Sequence, residues 1–157
     1  MSLRQVFART IHQVHIIRRR AVWLAPLMAR ITLGILFIST GWGKVHNLDN
    51  VTAFFTELRI PGPAFQATLV SYVELIGGAL ILVGLYTELA AIPLIISMFV
   101  AIVTAKRSEV HGLPDLFGLV EWTYLVLLAW LAIAGPGKVA LTKSSTGQSP
   151  TDKVADS

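Results

Sequence analysis

Four long apolar runs, each interrupted by one charge or none, dominate the chain. Ala21 to Gly43 is 23 residues with Arg30 as the only charge, and Ala64 to Tyr86 is 23 residues with only Glu74. Leu89 to Ala105 is 17 uncharged residues, and Leu116 to Gly137 is 22 residues with only Glu121. About 20 helical residues cross a hydrocarbon core about 30 Å thick. The pattern therefore predicts four spans, over about 23–45, 64–86, 88–106 and 116–136. A bilayer admits helices or a closed barrel, and these runs lack the alternation of barrel strands. The expected fold class is all-α: a four-transmembrane-helix bundle occupying residues 21–142, with an N-terminal amphipathic surface helix.

That surface helix is read from residues 1–20, where Leu3, Val6, Phe7, Ile11, Val14 and Ile17 recur at helical spacing beside five arginines and no acid. Such a segment lies on a membrane surface and holds the first span in place. An organelle transit peptide shares the composition, whereas no small-residue site marks a cleavable secretory signal. Between the first two spans, Val51, Phe54, Phe55 and Leu58 are spaced as a short amphipathic helix after Asp49 and Asn50, and Pro61-Gly62-Pro63 ends it. It is expected to lie flat on the outer face. The connection Tyr86-Thr87-Glu88 is so short that the second and third spans must be antiparallel neighbours. Residues 143–157, rich in Ser and Thr, read as a disordered tail.

Composition agrees with the runs and excludes several chemistries. With 54% apolar and 14% charged residues and a mean hydropathy of +0.67, the chain falls well below the about 25% charge of soluble domains. The lipid bilayer is the first partner. A net charge of +4 brings no aromatic-interleaved basic patch, so no nucleic-acid partner is expected. Lys and Arg flanking the spans number eight on the side of the two termini and four on the other. The positive-inside rule then puts both termini of this multi-pass chain in the cytoplasm. With no cysteine there is no disulfide, thiolate-held cluster or thiol nucleophile. Walker, dinucleotide, His-Glu-x-x-His and nucleophile-elbow motifs are absent, and no pair of deep histidines suits a haem.

Candidate chemistry rests on the charges within the spans. Arg30, Gly34, Phe37, Gly41 and Lys44 share one helical stripe, and Glu74, Gly77, Ile81 and Gly84 share another, with Gly78 beside it. Small residues let membrane helices approach closely, so the first two spans are expected to pair through Gly34, Gly41, Gly77, Gly78 and Gly84. At the helical rise, Glu74 lies roughly 13 Å, Glu121 roughly 8 Å and Lys44 roughly 3 Å below the outer boundary. Lys44 can reach down to either carboxylate. Arg30, near the inner side, can snorkel or meet Glu88. A cluster of Glu74, Glu121 and Lys44 has two readings. It ties helices together, or it forms a proton-active pocket of the kind that holds a quinone headgroup, with Trp42, Trp122 and Tyr124 as walls. Aromatic belts at the interfaces account for those rings equally well. No metal is expected, the weak candidates being His46, His111 and Asp115, which lack ligand spacing.

The string Arg30-x3-Gly34, Gly41-x2-Lys44, Glu74-x2-Gly77-Gly78 with Gly84, then Glu121 and the closing Gly135-Pro136-Gly137, resembles the DoxX family of small four-helix membrane proteins over residues 24–142. Two positions depart from that pattern: Glu88, where the family often has a basic residue, and Thr142, where it often has Asp. The resemblance implies the four-helix fold and a place in a bacterial inner (plasma) membrane. It also implies an association with quinol oxidase, thiosulfate:quinone oxidoreduction or redox-stress complexes. The expected function is an accessory or quinone-linked subunit of a membrane redox system, with Glu74, Glu121, Lys44 and Arg30 as its polar centre and redox subunits as partners. The alternatives are a non-catalytic scaffold docking other subunits and a small carrier working as a homo-oligomer. These residues leave open whether the chain is an enzyme.

Overall fold

The computed structural model describes residues 23–135 together with 137, 140 and 141. The basic surface segment expected over 1–20 and the tail expected over 143–157 lie outside the described residues. All described elements are helical: α1 Leu24–Val45, α2 Leu48–Glu57, α3 Pro63–Val83, α4 Thr87–Thr104, a 3₁₀ turn Arg107–Glu109, α5 Leu113–Gly118 and α6 Val120–Ala134. Helices α1, α3 and α4 are each long and apolar enough to cross a membrane. At the helical rise they measure about 33, 31 and 27 Å.

The bundle pairs α1 with α3 and α4 with α6, joins the pairs through α3 and α4, and closes more thinly between α1 and α6. Its core is built from Leu33, Phe37, Ile81, Ala90, Ala91, Leu94, Met98, Leu128 and Leu131. Large apolar side chains such as Ile35, Ile76, Ile96, Phe99 and Ile133 point outward. This inversion suits lipid, which solvates aliphatic groups as well as a core does, so small residues gather where helices meet.

Helix ends follow local chemistry. Helix α2 stops in a Schellman motif, with Arg59 N–H bonded to the Thr56 carbonyl at 3.0 Å and Ile60 N–H to the Phe55 carbonyl at 3.0 Å. The residue in the left-handed position there is Arg59 (φ 57°). Asn47, which precedes α2, donates through Nδ2 to the Gly43 carbonyl at 2.9 Å and so caps α1. Helix α2 carries no fully buried residue and leans on α3. Pro63 then opens α3 at a position where its missing N–H costs nothing.

Two boundaries differ from the apolar pattern. Helix α3 ends at Val83 rather than Tyr86, because Gly84 (φ 77°) takes the left-handed position of a second Schellman motif. Leu85 N–H reaches the Leu80 carbonyl at 2.9 Å and Gly84 N–H reaches that of Ile81 at 3.1 Å. Thr87 and Glu88 consequently belong to the first turn of α4, and the reversal is Gly84-Leu85-Tyr86. The larger correction concerns the fourth apolar run, which is not one helix. Leu119 is extended (φ −69°, ψ 135°) and divides it into the short α5 and the 15-residue α6. Helix α6 alone covers about 22 Å, less than a hydrocarbon core. Leu119 is buried against the bundle.

Candidate functional site

Helices α1 and α3 meet in one fixed register. A Cβ placed on Gly34 would lie 2.6 Å from Leu82 Cβ, and one on Gly78 would lie 2.8 Å from the Ile38 nitrogen. One on Gly41 would run into the Leu75 nitrogen. Each step along α1 is thus matched by an equal step back along α3, as antiparallel helices in backbone contact require. Glycine is the only residue that permits this approach at all three points.

The same closeness brings a lysine to a buried carboxylate. Lys44 Nζ lies 2.5 Å from Glu74 Oε1. By the register, the Lys44 backbone is level with Tyr72, so its side chain leans inward by about half a turn of helix. The environments of the two partners are unequal. The Lys44 side chain is 32% exposed and that of Glu74 only 2%. Glu74 Oε2 is buried and has no hydrogen-bond partner. Buried polar atoms are nearly always paired, and one that is not requires a reason.

The other residues singled out from the sequence divide into three groups. Tyr124 meets this region through Phe37, their rings edge to face with centroids 6.3 Å apart. Arg30 does not join it. It lies 14 positions before Lys44 on α1, about 21 Å away along the helix. Nor does it snorkel, being 2% exposed. It donates to the carbonyls of Ile81 and Leu82, each at 3.0 Å, at the C-terminal end of α3 where a cation meets the negative end of the helix dipole. Gly84 makes room, since a Cβ there would strike the Arg30 guanidinium. Glu88 opens α4 at the same end of the bundle.

Glu121 has no part in the Lys44–Glu74 ion pair. The break at Leu119 places it in the first turn of α6, where a carboxylate complements the positive helix terminus. Electrostatically it acts on Lys106, which lies beyond the end of α4 and is held above its ordinary pKa chiefly by its hydrogen bond to Glu109. Trp42 is exposed and stacks on His46 at 4.3 Å, while Trp122 packs on Phe117 at 5.5 Å. Both rings take part in surface pairs near helix ends. His111 donates its backbone N–H to Asp115 at 3.0 Å. No cluster of three or more His, Cys, Asp or Glu residues forms among the described residues.

Three buried polar residues were not anticipated from the sequence. Gly77, expected at the contact with α1, faces α4 instead: a Cβ there would lie 3.1 Å from Leu94 Cδ1, and this contact sets the antiparallel register of α3 and α4. It places Ser97 level with Glu74. Ser97 is 8% exposed. Its signal was its place on one stripe of α4 with the apolar Ala90 and Leu94. Ser71, one turn from Glu74, is also buried, but its hydroxyl is taken by the Ala67 carbonyl at 2.6 Å. Thr87 Oγ1, at the opposite end near the reversal, is buried without a partner.

Three relatives each align over about three quarters of the chain. The chain is 32% identical over 125 residues to "Uncharacterized membrane protein Rv3486" of Mycobacterium tuberculosis, covering 73% of this chain and 77% of that one. It is 29% identical over 114 residues to "Putative oxidoreductase CatD" of Bacillus subtilis, covering 73% and 80%. With "Inner membrane protein YqjF" of Escherichia coli it shares 29% over 117 residues, covering 74% and 88%. No solved structure matches the chain. The DoxX family profile matches residues 25–107, from the start of α1 through α4 to the 3₁₀ turn. Since that match takes in more than half of the chain and all of the α1–α3–α4 core that carries Lys44 and Glu74, the protein is a membrane protein of the DoxX family.

Proposed function

We propose that the chain is an accessory, quinone-linked subunit of a redox system in the bacterial inner membrane, with Glu74 as the group that exchanges a proton with the headgroup. The observation that carries this reading is the orphaned Oε2 of Glu74, a buried acceptor whose sister oxygen is held by Lys44. Bound there, a quinone would supply a carrier of two electrons and two protons. Glu74 Oε2 suits a hydroxyl donor, and Lys44, one third exposed, connects the same carboxyl to the aqueous face. Ser97 adds a hydroxyl at the level of Glu74, and Phe37 with Tyr124 supplies aromatic surface nearby. A relative whose name contains oxidoreductase and another named as an inner membrane protein support the reading.

Native mass spectrometry of the purified protein tests it. The wild type is expected to retain quinone, and Glu74→Gln to lose it while its melting temperature stays within a few degrees. Wild-type protein that neither carries nor takes up quinone would overturn the proposal. Loss of quinone together with a collapse in melting temperature would assign Glu74 to helix packing instead.

The same proposal includes a topology, with both termini cytoplasmic and with α2, the 3₁₀ turn and α5 at the outer face. The imbalance of eight basic residues against four supports it. Reporter fusions near residue 60 and in the tail are expected on opposite sides of the membrane. A shared side would refute it.

A further inference from the structure

A second charged site lies at the far end of α4. The 3₁₀ turn after that helix borders an open cleft of about 350 Å³, lined by Ile102, Val103, Arg107 and Val110. That volume falls at the lower end of ligand sites. Three of its walls are aliphatic and the fourth is a guanidinium.

Charge in the turn is not evenly spent. Lys106 Nζ is paired with Glu109 Oε1 at 2.8 Å, so those two charges offset one another. The Arg107 side chain has no hydrogen bond or ion pair among the described residues. It is the uncompensated cation of the turn. Along the chain, Ile96, Val100, Val103 and Arg107 follow steps of four, three and four. Ile96, Val100 and Val103 are all exposed on α4. An apolar track therefore rises along α4 from mid-membrane and ends at the cleft and its guanidinium.

We propose that this cleft is a binding site for an anionic phospholipid, with the headgroup phosphate on Arg107 and an acyl chain along Val103, Val100 and Ile96. A guanidinium is matched to phosphate because its planar donors engage two oxygens at once. A free anion would leave the aliphatic walls unused, and a zwitterionic lipid would forgo the net charge. The site is independent of Glu74 and of any redox reading.

Native mass spectrometry of the full chain released from nanodiscs of mixed phosphatidylglycerol and phosphatidylcholine tests the site. Retained phosphatidylglycerol is expected to exceed phosphatidylcholine by about fivefold, the worth of one basic residue at an anionic membrane surface. Arg107→Gln is expected to abolish that preference. Val103→Trp, which fills the cleft, is expected to lower retention of both lipids. Arg59→Gln removes the same charge from another connection at the same end of the bundle and is expected to leave the preference intact. Equal retention by the wild type, a preference that survives Arg107→Gln, or an equal loss in Arg59→Gln would overturn the proposal. So would displacement of phosphatidylglycerol by millimolar inorganic phosphate alone, which would identify a free anion as the ligand.

Discussion

Gly41→Leu is expected to cost about 3 kcal/mol or more and to lower the melting temperature in detergent by roughly 6–12 °C. The reason is what the new side chain would meet. A Cβ at Gly41 collides with the backbone of Leu75 and lies 3.0 Å from the Glu74 carbonyl carbon. Backbone cannot turn aside as a flexible side chain can, so α1 and α3 must separate along the whole contact. Separation also draws Lys44 away from Glu74 and reopens the approach at Gly34 and Gly78. Gly43, two residues on, is the matched control, since a Cβ there meets nothing within 4 Å. Gly43→Leu is expected to change stability by less than about 0.5 kcal/mol. Thermal melts of the two variants in one detergent decide the matter. Equal shifts would mean that helix propensity, and not close approach, governs this helix.

Several of these features are legible in the chain and others are not, for physical reasons. Hydropathy locates α1, α3 and α4 to within a few residues, because lipid demands long apolar runs. The register of α1 on α3 is written in Gly34, Gly41 and Gly78, since small residues mark where backbones touch. The division of the fourth run at Leu119 leaves no trace in hydropathy, because leucine is as apolar extended as it is helical. Gly118 and Pro114 were the available cues. This break turned Glu121 from a residue within a span into one at a helix start. Depth arithmetic put Lys44 within reach of both carboxylates but could not choose between them. Spacing along a helix gives height, while the choice depends on which way each helix is rotated. Glu74 lies one turn before Gly78, which touches α1, while Gly77 turns to Leu94 of α4; nothing comparable orients Glu121. Spacing puts Arg30 at the end of α1 opposite Lys44, but the space that Gly84 leaves for its guanidinium is visible only once the α3 end is folded.

Removing Lys44 is expected to be far more damaging than removing the charge of Glu74, although the two form one ion pair. Lys44→Met leaves a carboxylate that is almost wholly buried, with both oxygens unpartnered. Stranding one member of a buried pair costs about 3–5 kcal/mol. Glu74→Gln leaves an ammonium on a long, flexible stem that is already 32% exposed. That stem can either carry the charge outward to the membrane boundary or go on donating to the new amide oxygen. Its expected cost is about 1 kcal/mol. The double variant Lys44→Met with Glu74→Leu removes both charges and fills the gap with apolar atoms, so it is expected to recover most of the loss. A double-mutant cycle on reversible unfolding in detergent, run for Lys44→Met, Glu74→Leu and the pair, should give a coupling of at least about 2 kcal/mol. Were Glu74→Gln to cost as much as Lys44→Met, the lysine would be as confined as its partner. The link from Glu74 to the aqueous face through Lys44 would then be lost, and with it the proton route on which the quinone reading depends.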